Sequence, residues 1–360
     1  MAIAQTRISE TASPTNSEIE AFLSATYAPD EPGAAVIVVD DGAVVHRGAY
    51  GLANVELGVA LKPEMVFHIG SITKQFTAAA ILVLQEQGKL SINDPITKHM
   101  PNYPTQGGQI TIQHLLTHTS GISEYIVGRY YTDAVRADVS PGDLIELFKN
   151  QPAHFGPGDE HRYNNSGFIL LGAIIEDISG KSYGDFIRDE IFTPLELDDS
   201  HYGGYDLIPN RVSGYQFSNG EFRNATYASI TWSFSAGGLL STVGNLADWH
   251  TALVDESLPG VSYESMGRRF VLNNGEMINY AYGLTFIDVH SREAIGHGGG
   301  YPGFTGISFY LPEDGVYVAV LSNNADKQPN RTEVATQVAA IILGASHADQ
   351  ANRVSGSGTP

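Results

Sequence analysis

The stretch that decides the fold is Met65–Gly88, MVFHIGSITKQFTAAAILVLQEQG. Val66, Phe67 and Ile69 suit a strand, and Gly70 permits a sharp bend. From Ser71 the spacing turns helical. Phe76, Ala79, Ala80, Val83 and Leu84 share one face, and Gly88 is a natural stop. Ser71 therefore stands at a helix N-terminus, with Lys74 one turn later on the same side. A serine hydroxyl is a poor nucleophile until a base takes its proton, and an amine three residues along a helix can reach it. Burial and the positive end of the helix dipole would push Lys74 towards its neutral form. The Ser71 N–H could bind an oxyanion. Alone, S-x-x-K favours the plainer reading of a helix-capping serine beside a solvated lysine.

Working outward, Thr15 and Glu18 are spaced as a capping box for a helix striped by Ile19, Phe22, Leu23 and Tyr27. Ala34–Val39 and Ala43–Tyr50 read as strands joined at Asp41-Gly42, a hairpin signal. From about residue 90 the pattern changes. Thr111–Thr117, Ser140–Phe148, Ser166–Ser179 and Tyr183–Phe192 read as helices between Pro/Gly-rich loops. Beyond 236, Leu246–Val254 is a helix carrying Trp249, and Ala281–Val289 and Glu293–Gly296 are strands. Phe304–Leu311 and Val316–Ser322 form a second hairpin at Asp314-Gly315, and Arg331–Leu343 is a closing helix.

The expected fold class is α/β (α+β): an antiparallel sheet built from both ends of the chain, flanked by helices, with an inserted mainly helical subdomain. The expected boundaries are 17–89 with 236–344 for the α/β part and 90–235 for the helical part. A disordered tail is expected at 1–16, and a flexible one at 345–360 ending in SGSGTP.

The chain has 360 residues, enough for one large domain or two intimate ones. Its 40 acidic side chains against 20 basic give a net charge of −20, which argues against nucleic acid and anionic membrane surfaces. It has no cysteine, so disulfides, thiolate metal sites and cysteine nucleophiles are excluded, while the redox compartment is left undecided. No apolar run approaches the roughly 18 residues of a membrane span. Ala2-Ile3-Ala4-Gln5 can be read as the remnant of a small-residue cleavage site. A soluble protein is expected, periplasmic or secreted, with the cytoplasm as the alternative.

Two further motifs carry chemistry. Tyr163-Asn164-Asn165 directly precedes the apolar Ser166 helix. A tyrosine beside a lysine can shuttle protons, and Asn165 offers an amide to hold Lys74 or a substrate carbonyl. The plainer reading is a loop tyrosine with Asn165 as a helix cap. Gly296-His297-Gly298-Gly299-Gly300 ends a predicted strand. Glycines there mark close backbone approach. The bare edge can pair with an extended substrate, and Gly300 N–H could be a second oxyanion donor.

Ser71-Ile72-Thr73-Lys74, Tyr163-Asn164-Asn165 and His297-Gly298-Gly299 follow the order S-x-x-K, Y-x-N, (K/H)-x-G. In this order and context the chain resembles the serine β-lactamase and penicillin-binding-protein-like hydrolases. That superfamily takes in class C β-lactamases, D-Ala-D-Ala carboxypeptidases, D-aminopeptidases and family VIII esterases. Leu115–Ile122 (LLTHTSGI), Phe155–Gly167 and Gly296–Phe304 share its character, and the resemblance runs from about Ser17 to Leu343.

The resemblance implies that Ser71 is acylated, that Lys74 is its base, and that Tyr163 moves protons to the leaving group and later to water. It implies that Asn165 orients lysine and substrate, and that Ser71 and Gly300, beside Gly299, form the oxyanion hole. His297 stands where β-lactamases carry lysine. A histidine is mostly neutral near pH 7, which favours an esterase or a D-peptide or amide hydrolase over a true β-lactamase. A β-lactamase and a slowly deacylating penicillin or peptide receptor are the alternatives. No metal or cofactor is expected, and the partner is a small ester, peptide or β-lactam.

Three competing signals are set against this reading. Gly180-Lys181-Ser182-Tyr183-Gly184 matches the G-x-S-x-G elbow, but a helix rather than a strand precedes it, so a helix–helix turn is expected. His114 and His118 have a metal-pair spacing without an obvious third ligand. Tyr125, Tyr130, Tyr131, His154, Phe155 and Trp232 are open between pocket lining and packing.

Overall fold

Strand β1, Ala34–Asp40, is apolar almost without interruption because both of its faces are buried. It lies inside a six-stranded antiparallel sheet with β2 (Ala43–Tyr50), β3 (Thr285–Val289), β4 (Arg292–Tyr301), β5 (Phe304–Leu311) and β6 (Val316–Ser322), in the order β3-β4-β5-β6-β1-β2. The two ends of the chain meet where β1 pairs with β6, from Ala34 opposite Ser322 to Asp40 opposite Val316. The computed structural model describes residues 14–125 and 133–356.

The period-2 alternation of β1 feeds two cores. Ala34, Val36 and Val38 pack with helix α1 (Pro14–Thr26) and helix α6 (Arg331–Gly356), which close one face of the sheet. Ala35, Ile37 and Val39 belong to the larger core on the other face. That core is built around α2 (Thr73–Glu86), with α3 (Ile112–Leu116), α4 (Asn165–Ser179) and α5 (Val243–Val254) packed into it.

The sequence predicts one apolar face for α2, whereas every residue from Thr73 to Leu84 is buried. Most of their polar atoms are bonded inside the core, Gln75 Nε2 being buried without a hydrogen-bond partner among the described residues. Thr77 Oγ1 donates to the Ser235 carbonyl at 2.7 Å, Trp249 Nε1 donates to Gln75 Oε1 at 3.0 Å, and Leu239 N–H donates to Thr73 Oγ1 at 3.1 Å. A helix fixed on all sides is a rigid platform for what stands at its N-terminus.

Several elements depart from the sequence reading, each for a local reason. Helix α1 opens at Pro14, inside the expected 1–16 tail, so Thr15 lies within the helix and not at its cap. The predicted strand Met65–Ile69 keeps only Phe67–His68, because its partner Leu239–Ser241 is short and also pairs with His201–Tyr202. Ala281–Val289 shortens to Thr285–Val289, because Gly283 turns the chain at φ +70°. The glycine run lies inside β4 and does not follow it. A hairpin of Tyr215–Ser218 and Glu221–Asn224 falls within the segment expected to be mainly helical. The closing helix continues to Gly356, past the expected start of a tail at 345. Residues 2–5, Tyr130, Tyr131 and the last four residues lie outside the described residues. No described helix is long and apolar enough to cross a membrane.

Candidate active site

Ser71 sits in a 3-10 turn, Gly70–Ile72, that links the Phe67–His68 strand to α2. Two glycines let this turn touch β4. A Cβ on Gly299 would lie 1.9 Å from the Ile69 carbonyl oxygen and 3.2 Å from Ser71 N. Gly70, at φ +52°, would place one 2.5 Å from Gly300 N. The amides of Ser71 and Gly300 thus border one backbone-to-backbone contact, which can serve as a two-donor hole for a carbonyl oxygen.

Lys74 is fully buried one turn along. Its Nζ lies 3.2 Å from Ser71 Oγ, 2.8 Å from Asn165 Oδ1 and 2.7 Å from the Ala236 carbonyl oxygen. The amide and carbonyl oxygens can only accept, so they hold two N–H groups. The remaining vertex of the amine faces Ser71 and holds either a third proton or the lone pair. Burial pushes the Lys74 amine down from 10.5 to about 7, with Glu124 opposing.

Tyr163 is 41% exposed and forms one wall of the site, with Lys74 Nζ 4.9 Å from its ring centroid. Asn164, not Asn165, caps α4, its Oδ1 accepting the Gly167 N–H at 2.7 Å. This frees the Asn165 side chain for Lys74. Glu124, which no sequence signal marked, accepts the Asn165 backbone N–H at 2.5 Å.

His297 comes to the site differently from the sequence expectation. Alternation along β4 puts His297, Gly299 and Tyr301 on the side of the Ser71 turn. The His297 ring is buried, its Nε2 2.9 Å from Tyr280 Oη and its Nδ1 2.5 Å from the Gly298 carbonyl oxygen. The carbonyl can only accept, so Nδ1 holds the proton and Nε2 accepts from the phenol. Burial, reinforced by Lys74, drives this imidazole down to about 3. It is a neutral part of the wall, and Tyr280 was unmarked by the sequence.

This edge of β4 is only half covered. Strand β3 pairs with β4 from Arg292 to Gly296. Among the described residues, Gly298–Tyr301 have a ladder partner on the β5 side alone. Beyond Tyr301, which stacks on His68 at 4.3 Å, lies a cavity of about 500 Å³ lined in part by Tyr205, Leu207, Tyr227 and Ser229.

The competing signals resolve structurally. Ser182 caps the helix Tyr183–Ile187, accepting the Asp185 N–H at 3.1 Å, so the elbow-like motif is a helix–helix turn. His114 Nδ1 accepts the Thr111 N–H at 3.1 Å, while His118 Nδ1 accepts the Asn164 N–H at 3.2 Å in a different environment. Tyr125 and Trp232 are packing residues: the Tyr125 phenol donates to the Trp232 carbonyl, and Trp232 Nε1 donates to Ala137 O at 2.9 Å. Arg162 lies over the Phe155 ring, 5.8 Å from its centroid.

Residues 19–342 match the family profile described as Beta-lactamase. The chain belongs to the beta-lactamase family. This beta-lactamase-family chain is 27% identical over 328 residues to penicillin-binding protein 4* of Bacillus subtilis, covering 86% of itself and 72% of that protein. It is 28% identical over 320 residues to Protein flp of Staphylococcus aureus, of which it spans 62%, using 84% of its own length. Among solved structures, the octameric penicillin-binding protein homologue from Pyrococcus abyssi matches with a TM-score of 0.78 at 30% identity, over 91% of this chain and 77% of that one. D-amino acid amidase from Ochrobactrum anthropi SV3 matches with a TM-score of 0.81 at 23% identity, over 93% and 100%, which shows the shared fold. In enzyme class the chain is a serine hydrolase.

Proposed function

We propose that this chain hydrolyses amide or ester bonds through an acyl-enzyme on Ser71. The observation that carries the reading is the buried Lys74 amine, held by Asn165 and Ala236 with its remaining vertex on Ser71 Oγ. A lysine that titrates near neutrality can accept the serine proton as Ser71 attacks. The carbonyl oxygen becomes an oxyanion between the Ser71 and Gly300 amides. Tyr163, coupled to Lys74, delivers a proton to the departing nitrogen or oxygen as its bond to the carbonyl carbon breaks. Water then attacks the ester, its proton returns through the same pair, and the acid leaves Ser71 free.

The site also orients the substrate. The Tyr163 ring lies 6.0 Å from the ring of His297, so the leaving group belongs at the His297 end of the β4 edge. The acyl part then runs past Gly300 and Tyr301 towards the cavity. Tyr205, Leu207 and Tyr227 are large, and they are 89%, 97% and 59% exposed around it. We therefore assign a bulky, apolar or aromatic acyl group. Similarity to a D-stereospecific amidohydrolase from Streptomyces sp. supports D-configured amides, and D-Ala-D-Ala-like peptides are the candidate within that class. Stable acylation by penicillin is the second reading, favoured by the penicillin-binding relatives.

The test is intact-mass spectrometry over time with an activated ester, a D-Ala-D-Ala peptide and a penicillin. Ester or peptide turnover with a transient adduct on Ser71 is expected. A lasting penicillin adduct without turnover of the other two establishes the second reading. Turnover retained in Ser71→Ala overturns both.

A further inference from the structure

We propose that His118 is the positioning residue for Tyr163, gripping the chain on both sides of it and walling its ring. This rests on Tyr163 being the proton carrier of the proposed reaction. The two residues flanking Tyr163 both bond to this one histidine. Arg162 N–H donates to the His118 carbonyl oxygen at 3.0 Å, and Asn164 N–H donates to His118 Nδ1 at 3.2 Å. Such a double hold needs the backbone turned so that carbonyl and ring face the same segment. His118 accordingly adopts φ +58°, a conformation that costs about 1 kcal/mol or more outside glycine. The surrounding motif extends the grip: Gly158 N–H donates to Thr119 O and His154 N–H to Gly121 O, both at 2.8 Å. The stretch Thr117–Gly121 is thus a backbone cradle for the loop that presents Tyr163.

The ring completes the hold. Its centroid is 4.4 Å from that of Tyr163, 4.4 Å from Tyr280 and 5.2 Å from Phe168. Because Nδ1 accepts, the proton of the neutral ring is on Nε2, which is buried with no hydrogen-bond partner among the described residues. The charged or titratable groups that face the ring are Lys74 on α2, His161 and Tyr163 on the loop, Tyr280, and His297 on β4. Burial and the three basic groups all oppose a second cation here, so the imidazole stays neutral. Its grip also passes down the chain to the next residue, Asn165, whose Oδ1 holds Lys74.

The test compares His118→Phe, which keeps a ring and loses the acceptor, with His118→Asn, whose Oδ1 takes the place of Nδ1. Tyr163→Phe is the control. His118→Phe is expected to lose about 10²-fold in kcat, the scale of a small misplacement of a reacting group, with KM within threefold. It should also shift the acid limb of the kcat/KM profile, which reports the Lys74–Tyr163 pair. His118→Asn should recover at least tenfold of the loss. If both variants keep wild-type kcat and profile while Tyr163→Phe is inactive, His118 is packing and the proposal falls. If Tyr163→Phe is itself fully active, it is the catalytic reading that fails. A measurement on the intact enzyme covers variants that do not fold. ¹⁵N NMR should find the His118 ring neutral, with Nε2 protonated, from pH 5 to 9. The opposite tautomer, or titration in that range, overturns the proposal.

Discussion

The phenol of Tyr280 donates to His297 Nε2 at 2.9 Å, and both side chains are buried. His297 therefore offers no cation to a substrate carboxylate. Its burial also denies the fold a proton that the unfolded chain can bind. His68 and His250 are driven to about 3 by burial, as His297 is, and burial holds His118 well below the ordinary histidine range. An unfolded histidine titrates near 6.5. Below that value the unfolded state binds protons that the native state refuses, so stability falls as pH falls from 6.5 towards 3. Unfolding near pH 5 should take up as many as four protons from solvent at these residues. Calorimetry from pH 5 to 8 should show Tm dropping on the acid side, and His297→Asn should flatten that slope by about one proton. A Tm independent of pH over this range would show that these rings are not held neutral.

Lys74 predicts an activity limb. Its amine is lowered to about 7 by burial, so the basic form is lost as pH falls through that value. The kcat/KM of the intact enzyme should rise across pH 6 to 8 with a midpoint near 7, belonging to the Lys74–Tyr163 pair. Lys74→Arg keeps the positive charge but cannot give up its proton. It should lose about 10²-fold to 10⁴-fold in kcat/KM and lack the limb. A variant that retained both rate and limb would remove Lys74 from the proton path.

Much of this site was legible in advance, and the reason lies in spacing. Ser71 and Lys74 are three residues apart on a helix, and Asn165 follows a tyrosine at a helix start, so local geometry alone constrains them. The strands near Asp41-Gly42 and Asp314-Gly315 were equally local. What the sequence hid depends on contacts between distant segments. Glu124 meets Asn165 from 41 residues away, and Tyr280 meets His297 from 17 residues away. Burial of α2 on all sides could not be read either, because Thr73, Gln75 and Thr77 look polar until their partners on other elements are known. Asn219-Gly220 is different. Both residues have positive φ, at 53° and 84°, at the turn of a hairpin, a conformation that an Asn-Gly pair favours by local geometry alone.

Gly299 provides a steric prediction. Its Cβ would sit 1.9 Å from Ile69 O, and backbone on both sides prevents an easy escape. Gly299→Ala should push β4 from the Ser71 turn and separate the two amides, lowering kcat by about 10²-fold to 10³-fold, the scale for losing one oxyanion donor. Gly180→Ala is the control. Gly180 caps α4 at φ +69°, with nothing within 4 Å of a new Cβ, so about 1 kcal/mol of backbone strain is expected with kcat unchanged. Equal kcat in the two alanine variants would place the oxyanion donors elsewhere.

The cavity beyond Tyr301 predicts where specificity resides. Leu207 and Tyr227 line it and are exposed, so shortening them leaves the core and the Ser71–Lys74–Asn165 contacts in place. Removing a well-packed apolar contact of this size is worth about 1–3 kcal/mol to a bound acyl chain. Leu207→Ala and Tyr227→Ala should therefore lower kcat/KM for phenylacyl or octanoyl esters by about 10-fold to 100-fold, while acetyl esters change by less than twofold. The comparison must hold the leaving group constant, because the proposed orientation puts that group at the opposite, His297 end of the β4 edge. Should acetyl and octanoyl esters suffer equally, the acyl group does not enter this cavity. Should the variants instead discriminate among leaving groups, the substrate runs along β4 in the reverse direction, and Tyr163 could not reach the departing atom from where its ring stands.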